Sequence, residues 1–369
     1  MELHLDSISK PTENGKEDEF EKSFKEMIST LPKGNGWSVS EDLCQYQGFW
    51  LHPSFLRGVV SAQQRFQAQS TDIILCSVPK AGTTWLKSLT FSTITRTSYD
   101  DSTTPLLSTV PHDIVPFMEL HHAQFYTNRD RGIPLLSTHI PYSSLPRSVT
   151  DSGCKIVYIC RDPKDSFVSM YHFISRNVTT TEAQPLGLDE AFELFCEGQS
   201  FYGPYWDHVL GYWKASLEHP GKILFLKYEE MSDDTVLHVK KLAEFIGHPF
   251  SFEEQQNGVP EKIVKRCSFE KLSNLEVNKN GVYGKPSTGF VENKTFFRKG
   301  KVGDWKDCLT PEMAARLDQI TTQKLSGSGL SLRSARLHRC SSSFPHDFDA
   351  SEHGTSSFPV DARGILGNC

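Results

Sequence analysis

Several features are missing from this chain of 369 residues, and each absence narrows what it can be. No apolar run approaches the roughly 20 residues that a membrane-spanning helix needs, so no membrane partner is expected. Basic residues do not outnumber acidic ones: 39 Lys and Arg stand against 45 Asp and Glu. A general nucleic-acid surface is therefore not expected, and any anion site must be a local cluster. The 9 cysteines form no Cys-x-x-Cys pair and are odd in number. They read as reduced, mostly buried residues of a cytosolic protein. The N-terminus, Met1-Glu2-Leu3-His4-Leu5-Asp6, lacks a basic stretch followed by an apolar one, so a secretory signal is not expected and a cytoplasmic location is. No Gly-x-x-x-x-Gly-Lys-Ser/Thr loop occurs either.

What is present is a different phosphate-cradling pattern. The apolar run Ile73-Ile74-Leu75-Cys76-Ser77 reads as a buried strand. Val78-Pro79-Lys80-Ala81-Gly82-Thr83-Thr84-Trp85 follows it and leads into a helical pattern. Backbone N–H groups at such a helix start point at an anion, and the helix dipole favours negative charge there. Lys80 adds a mobile charge, and Thr83 and Thr84 add hydroxyls. Because Lys80 precedes Gly82, the loop is not a Walker loop. Taken alone it is either a phosphate cradle or an ordinary strand-to-helix turn.

Two more apolar runs, 155–160 and 222–227, read as strands of the same buried sheet. Helical patterns cover 84–95, 164–176, 188–197, 204–218, 233–246 and 310–325. Alternation of this kind predicts a single α/β domain: a doubly wound parallel sheet with helices on both faces and a P-loop-like phosphate loop. Ligands of such sheets bind beyond the carboxyl ends of the strands. Residues 1–35 read as a flexible arm with a short helix near Phe24–Leu31, and 36–330 as the domain. Residues 331–369, rich in Ser, Gly, Pro and His, read as a disordered tail.

The second strand runs into Arg161-Asp162-Pro163-Lys164-Asp165-Ser166-Phe167-Val168-Ser169. Arg161 stands on the same rim as Lys80 and can grip a phosphate bidentately; the alternative is a surface ion-pair cluster. The third strand ends at Tyr228, which is either a base-contacting or a core residue. Phe296-Phe297-Arg298-Lys299-Gly300 through Trp305-Lys306 suits a loop closing over a phosphate, or a solvated charge run.

The order Pro-Lys-x-Gly-Thr-Thr-Trp, then Arg-Asp-Pro-Lys-Asp-x-x-Val-Ser, then Arg-Lys-Gly-x-x-Gly-Asp-Trp-Lys resembles the cytosolic sulfotransferases, in particular the plant soluble enzymes. The resemblance covers about residues 35–330. It implies 3′-phosphoadenosine 5′-phosphosulfate (PAPS) as donor. Lys80, Ala81, Gly82, Thr83 and Thr84 match the loop for its 5′-phosphosulfate, and Trp85 the adenine-stacking aromatic. Arg161, Ser169, Arg298, Lys299 and Gly300 match the residues that take the 3′-phosphate, with Phe297 in the same closing loop. Tyr228 and the segment Cys267-Ser268-Phe269 match adenine contacts; Cys267 stands where the family often has Thr, which weakens a hydroxyl role there.

Thr138-His139-Ile140-Pro141 matches the family's segment with a catalytic histidine, so His139 is implied as general base and Lys80 as the group stabilising the leaving phosphate. Ser137 occupies a position that many relatives fill with Lys, so cationic help from that position is absent. The implied reaction is a single in-line sulfuryl transfer to a hydroxyl, without a metal. Phe117 and Phe173 match acceptor-pocket positions, and Tyr142 is added by its proximity to His139. An aromatic, apolar pocket suits a flavonoid, phenolic, steroid or jasmonate-like acceptor. The family's dimer segment is not matched, since Pro311 and Ala315 interrupt it, and a monomer is expected.

Overall fold

The computed structural model describes residues 13–37, 42–120, 129, 132–177, 186–285 and 289–332. Three short antiparallel strands come first: β1 (Lys33–Gly34), β2 (Leu43–Tyr46) and β3 (Phe49–Leu51). The central sheet is built from β4 (Ile73–Ser77), β5 (Leu135–Thr138), β6 (Lys155–Cys160) and β7 (Ile223–Lys227), all parallel, in the order β5-β4-β6-β7. A two-stranded hairpin, β8 (Val282–Lys285) with β9 (Gly289–Glu292), follows later.

The apolar runs form a parallel sheet because both of their faces are covered. Alternate residues of β4 and β6 serve two separate cores. Ile74, Cys76, Ile156, Tyr158 and Cys160 pack with helix Pro53–Arg65, helix Tyr205–Glu218 and helix Pro311–Leu325. Ile73, Leu75, Val157 and Ile159 pack on the other face with helix Thr83–Ile94, helix Thr235–Phe245 and helix Val259–Arg266. The expected doubly wound α/β architecture is therefore the observed one.

The strand order places the site. The chain leaves β4 for β5 on one side, then crosses to β6 on the other, so the sheet has a switch point at the carboxyl end of β4. The residues just beyond the four strand ends are Lys80, His139, Arg161 and Tyr228.

Some boundaries differ from expectation. The short helix near Phe24–Leu31 is an 18-residue helix, Glu13–Thr30. Phe20 and Phe24 of this helix are buried against the core, so the flexible arm over 1–35 is corrected for its second half; residues 1–12 lie outside the described residues. The helix expected over 233–246 is Thr235–Phe245, begun where the Asp234 side chain accepts from Leu237 N at 3.0 Å, and a further short helix, Tyr228–Asp233, precedes it. Leu330 and Leu332 are buried in the same core, and the rest of the tail, from 333 on, lies outside the described residues.

Candidate functional site

The turn after β4 needs unusual backbone. Lys80 has φ of 67° and Gly82 φ of 111°. A Cβ on Gly82 would stand 2.8 Å from Tyr228 Cδ2 and 3.2 Å from Ile159 Cδ1. Only glycine fits there, and the chain passes directly into helix Thr83–Ile94 with its N–H groups unused by a side-chain cap. The loop opens on a cavity of about 560 Å³. Lys80, Gly82, Thr83, Thr84 and Trp85 all line it. Ala81 does not: it is fully buried and its N–H turns to Val78 O at 3.4 Å, so the expectation of a ligand contact through Ala81 is corrected.

The basic segments converge on the same cavity. Arg161 lies with its guanidinium carbon 4.5 Å from the Tyr228 ring centroid, and its Nη2 donates to Lys301 O at 2.6 Å. Tyr228 Oη donates to Gly300 O at 3.1 Å, and the Trp85 ring packs edge-on at 5.3 Å from that of Tyr228. Gly300 presses on Phe269, where a Cβ would meet the ring at 2.4 Å. Asp304 pairs with Arg298 and Lys299, which keeps the Lys299 ammonium above its usual range. Asp165 accepts from Gly303 N at 2.8 Å and Trp305 N at 3.0 Å, tying the closing loop to the Arg161 segment. Ser169, Cys267, Ser268, Phe269, Phe297, Arg298, Lys299 and Gly300 all line the cavity. Cys267 is fully buried with its thiol 3.3 Å from Ser92 Oγ, and burial pushes it up to about 12, so it stays protonated. The Ser268 hydroxyl is occupied in capping, accepting from Lys271 N at 3.2 Å.

Electrostatics in the cavity favour anions. Burial, with Arg298 and Arg161 nearby, lowers Lys80 to about 7. Its Nζ lies 4.1 Å from the Phe173 ring centroid. The buried Nε atoms of Arg161 and Arg298 have no hydrogen-bond partner. Like charges gathered with unspent donors are what a bound polyanion relieves.

On the opposite wall His139 stands at the end of β5. Its Nδ1 lies 2.7 Å from Ser77 O, and burial lowers the imidazole to about 3. Glu119, buried, accepts from His139 N and from Thr138 Oγ1, each at 2.8 Å. The His139 ring packs 4.9 Å from Phe117 and 5.5 Å from Tyr202. Phe117 and Phe173 line the cavity. Tyr142 does not: the 3-10 turn Tyr142–Ser144 carries its ring onto Tyr212, 5.5 Å away, so its assignment to the pocket is corrected.

Sequence reasoning missed Lys87, His112, Glu119 and Tyr202. Ser137 indeed brings no cation, since its hydroxyl donates to Pro116 O at 3.1 Å. Lys87 supplies an amine in that neighbourhood from another element: its Nζ is 3.4 Å from the centroid of Phe117, the residue bridged to Ser137.

Comparison with known proteins accords with this geometry. The sulfotransferase domain family matches residues 70–329. Cytosolic sulfotransferase 16 of Arabidopsis thaliana is 49% identical over 332 residues, covering 87% of this chain and 98% of the relative. Flavonol 3-sulfotransferase of Flaveria bidentis is 48% identical over 313 residues, covering 84% of this chain and all of the relative. The crystal structure of mouse sulfotransferase SULT7A1 complexed with PAP superposes with a TM-score of 0.58 at 29% identity, covering 78% of this chain and 95% of that one. With a phosphate loop, two further basic segments and a strand-end histidine on one cavity, the chain belongs to the sulfotransferase family, and its reaction is sulfuryl transfer.

Proposed function

We propose that the chain transfers a sulfuryl group from PAPS to a hydroxyl of a small, largely apolar acceptor such as a flavonoid, phenol, steroid or jasmonate-like acid. The observation that carries this reading is the meeting, in one cavity, of the Lys80 loop, the basic segments at Arg161 and at 298–300, and an imidazole held neutral. Basic segments beyond the loop are superfluous for a single phosphate chain and fit a ligand with a phosphate on its ribose. Gly82, Thr83, Thr84 and Lys80 take the 5′ end. Arg161, Ser169 and the 298–300 segment take the 3′-phosphate; Trp85, Tyr228, Phe297 and the 267–269 segment flank the adenine. Bound there, the donor supplies an activated sulfuryl group and a phosphate leaving group. His139 Nε2 accepts the proton of the acceptor hydroxyl while its oxygen attacks in line, and Lys80 stabilises charge on the departing oxygen.

The acceptor wall is aromatic, with Phe117, Phe173, Phe201 and Phe296 among its lining residues. The relatives' names include flavonol enzymes and cytosolic ones, and we extend both properties to this chain, with residues 13–332 within the active domain, working as a monomer in the cytosol. The test is thermal stabilisation by adenosine 3′,5′-bisphosphate against ATP. A larger shift with the bisphosphate is expected; equal shifts overturn the two-phosphate site.

A further inference from the structure

Helix Thr83–Ile94 is buried along its whole length from Leu86 to Thr93. A lysine in such a helix has no route to water, and Lys87 is 0% exposed. Nothing in the mechanism above uses it. Its Nζ lies 2.9 Å from His112 Nδ1. His112 is also buried, and its Nε2 lies 3.2 Å from Thr84 Oγ1. Thr84 lines the cavity beside Lys80. A hydrogen-bonded chain therefore runs from an interior amine, through an imidazole, to a hydroxyl of the phosphate loop.

The chain has a direction. The Lys87 amine carries N–H groups whether charged or neutral, and it donates one of them in a hydrogen bond to Nδ1. The His112 ring is held well below its usual range by burial and by Lys87, so it carries one proton, which then sits on Nε2 and is donated to Thr84 Oγ1. With that oxygen accepting, the hydroxyl's own proton is left for the cavity. Burial lowers the Lys87 amine well below its usual range, against the pull of Glu119 and Asp113, and the face of Phe117 lies 3.4 Å from Nζ.

We propose that Lys87 and His112 are positioning residues for sulfuryl transfer, which together turn the Thr84 hydroxyl into a donor aimed at the transferring group. This rests on the PAPS reading of the cavity. A donor aimed where charge develops acts on the chemical step more than on ground-state binding.

A double-mutant cycle tests it, with Lys87→Met, Thr84→Val and the pair, measured for kcat, for affinity toward adenosine 3′,5′-bisphosphate, and for Tm. Lys87→Met removes the donor while nearly keeping the volume, and the buried His112 Nδ1 it leaves unpaired is expected to lower Tm. The expectation is a kcat reduced about tenfold or more in each single variant, bisphosphate affinity within about twofold for Lys87→Met, and no further loss of kcat in the pair. His112→Gln, which keeps an N–H donor, is expected to retain more activity than His112→Leu; this arm decides the matter if Lys87→Met does not fold. Additive losses in the cycle, a wild-type kcat for Lys87→Met, or equal rates for the two His112 variants would overturn the proposal. An unsubstituted protein that transfers no sulfuryl group from PAPS overturns the donor reading as well, whereas transfer with additive losses overturns this inference alone.

Discussion

His139 Nδ1 stands 2.7 Å from the carbonyl oxygen of Ser77, the last residue of β4. A carbonyl only accepts, so Nδ1 carries the ring proton and Nε2 keeps its lone pair. The strand that launches the Lys80–Gly82 loop thus also sets the tautomer of His139.

The first consequence concerns pH. An imidazole is a base only when neutral, and it is neutral above its pKa. With His139 lowered to about 3 by burial, the base form is present throughout roughly pH 5 to 8. A kcat/KM profile is expected to show no acid limb near the ordinary histidine value. A limb near 6.5 that disappears in His139→Gln would contradict the assignment.

Lys80 behaves in the opposite way. In the ligand-free protein it loses its proton around pH 7, and a bound polyphosphate favours the charged form. Binding of adenosine 3′,5′-bisphosphate at pH 8 is therefore expected to take up protons, and affinity to fall as pH rises above 7. Calorimetry in buffers of different ionisation heat measures the uptake. Glu229, raised to about 7 by burial, titrates in the same range, so Lys80→Met is the control that must abolish most of the effect.

Gly82→Ala probes the loop. A Cβ at φ of 111°, 2.8 Å from the Tyr228 ring, forces both backbone and ring to move. A stability loss of about 1–3 kcal/mol is expected, with loss of the bisphosphate-induced shift in Tm. Retention of the full shift would show that the loop does not cradle the ligand.

Asp165→Asn probes the closing loop. One carboxylate holds Gly303 N, Trp305 N and, at 3.4 Å, the Arg161 guanidinium. An amide cannot accept both backbone N–H groups, a local cost of about 1–3 kcal/mol. Donor KM is expected to rise about tenfold, with kcat at saturating donor near wild type. An unchanged donor KM would remove Asp165 from the loop's support.

The parts legible in the sequence are those with local signals. β4, β6 and β7 are continuous apolar runs, and their ends carried Lys80, Arg161 and Tyr228 to one rim. β5 was hidden because half of Leu135-Leu136-Ser137-Thr138 is polar; those hydroxyls are satisfied by Pro116 and Glu119, partners about 20 residues away. Of helix Glu13–Thr30 only the end was read, since its charge run hid the first half, although Phe20, Phe24, Met27 and Ile28 form an apolar stripe at helical spacing. Tyr142 shows the opposite failure: nearness along the chain to His139 did not survive the turn at Pro141. Lys87 had no readable signal, since helix Thr83–Ile94 mixes Thr and Ser with its apolar residues and only the fold buries it on all sides. His112 had none, because only the fold brings it to Thr84.

The central claim is that this cavity moves a sulfuryl group with His139 as base. The most direct measurement follows labelled sulfuryl from PAPS to a panel of flavonol, phenolic, steroid and jasmonate-type hydroxyls, using the unsubstituted protein and His139→Ala. The account predicts labelled product from the unsubstituted protein. It predicts a rate lower by about a hundredfold or more in the variant, which still gains Tm from adenosine 3′,5′-bisphosphate. Equal rates from the two proteins would contradict it.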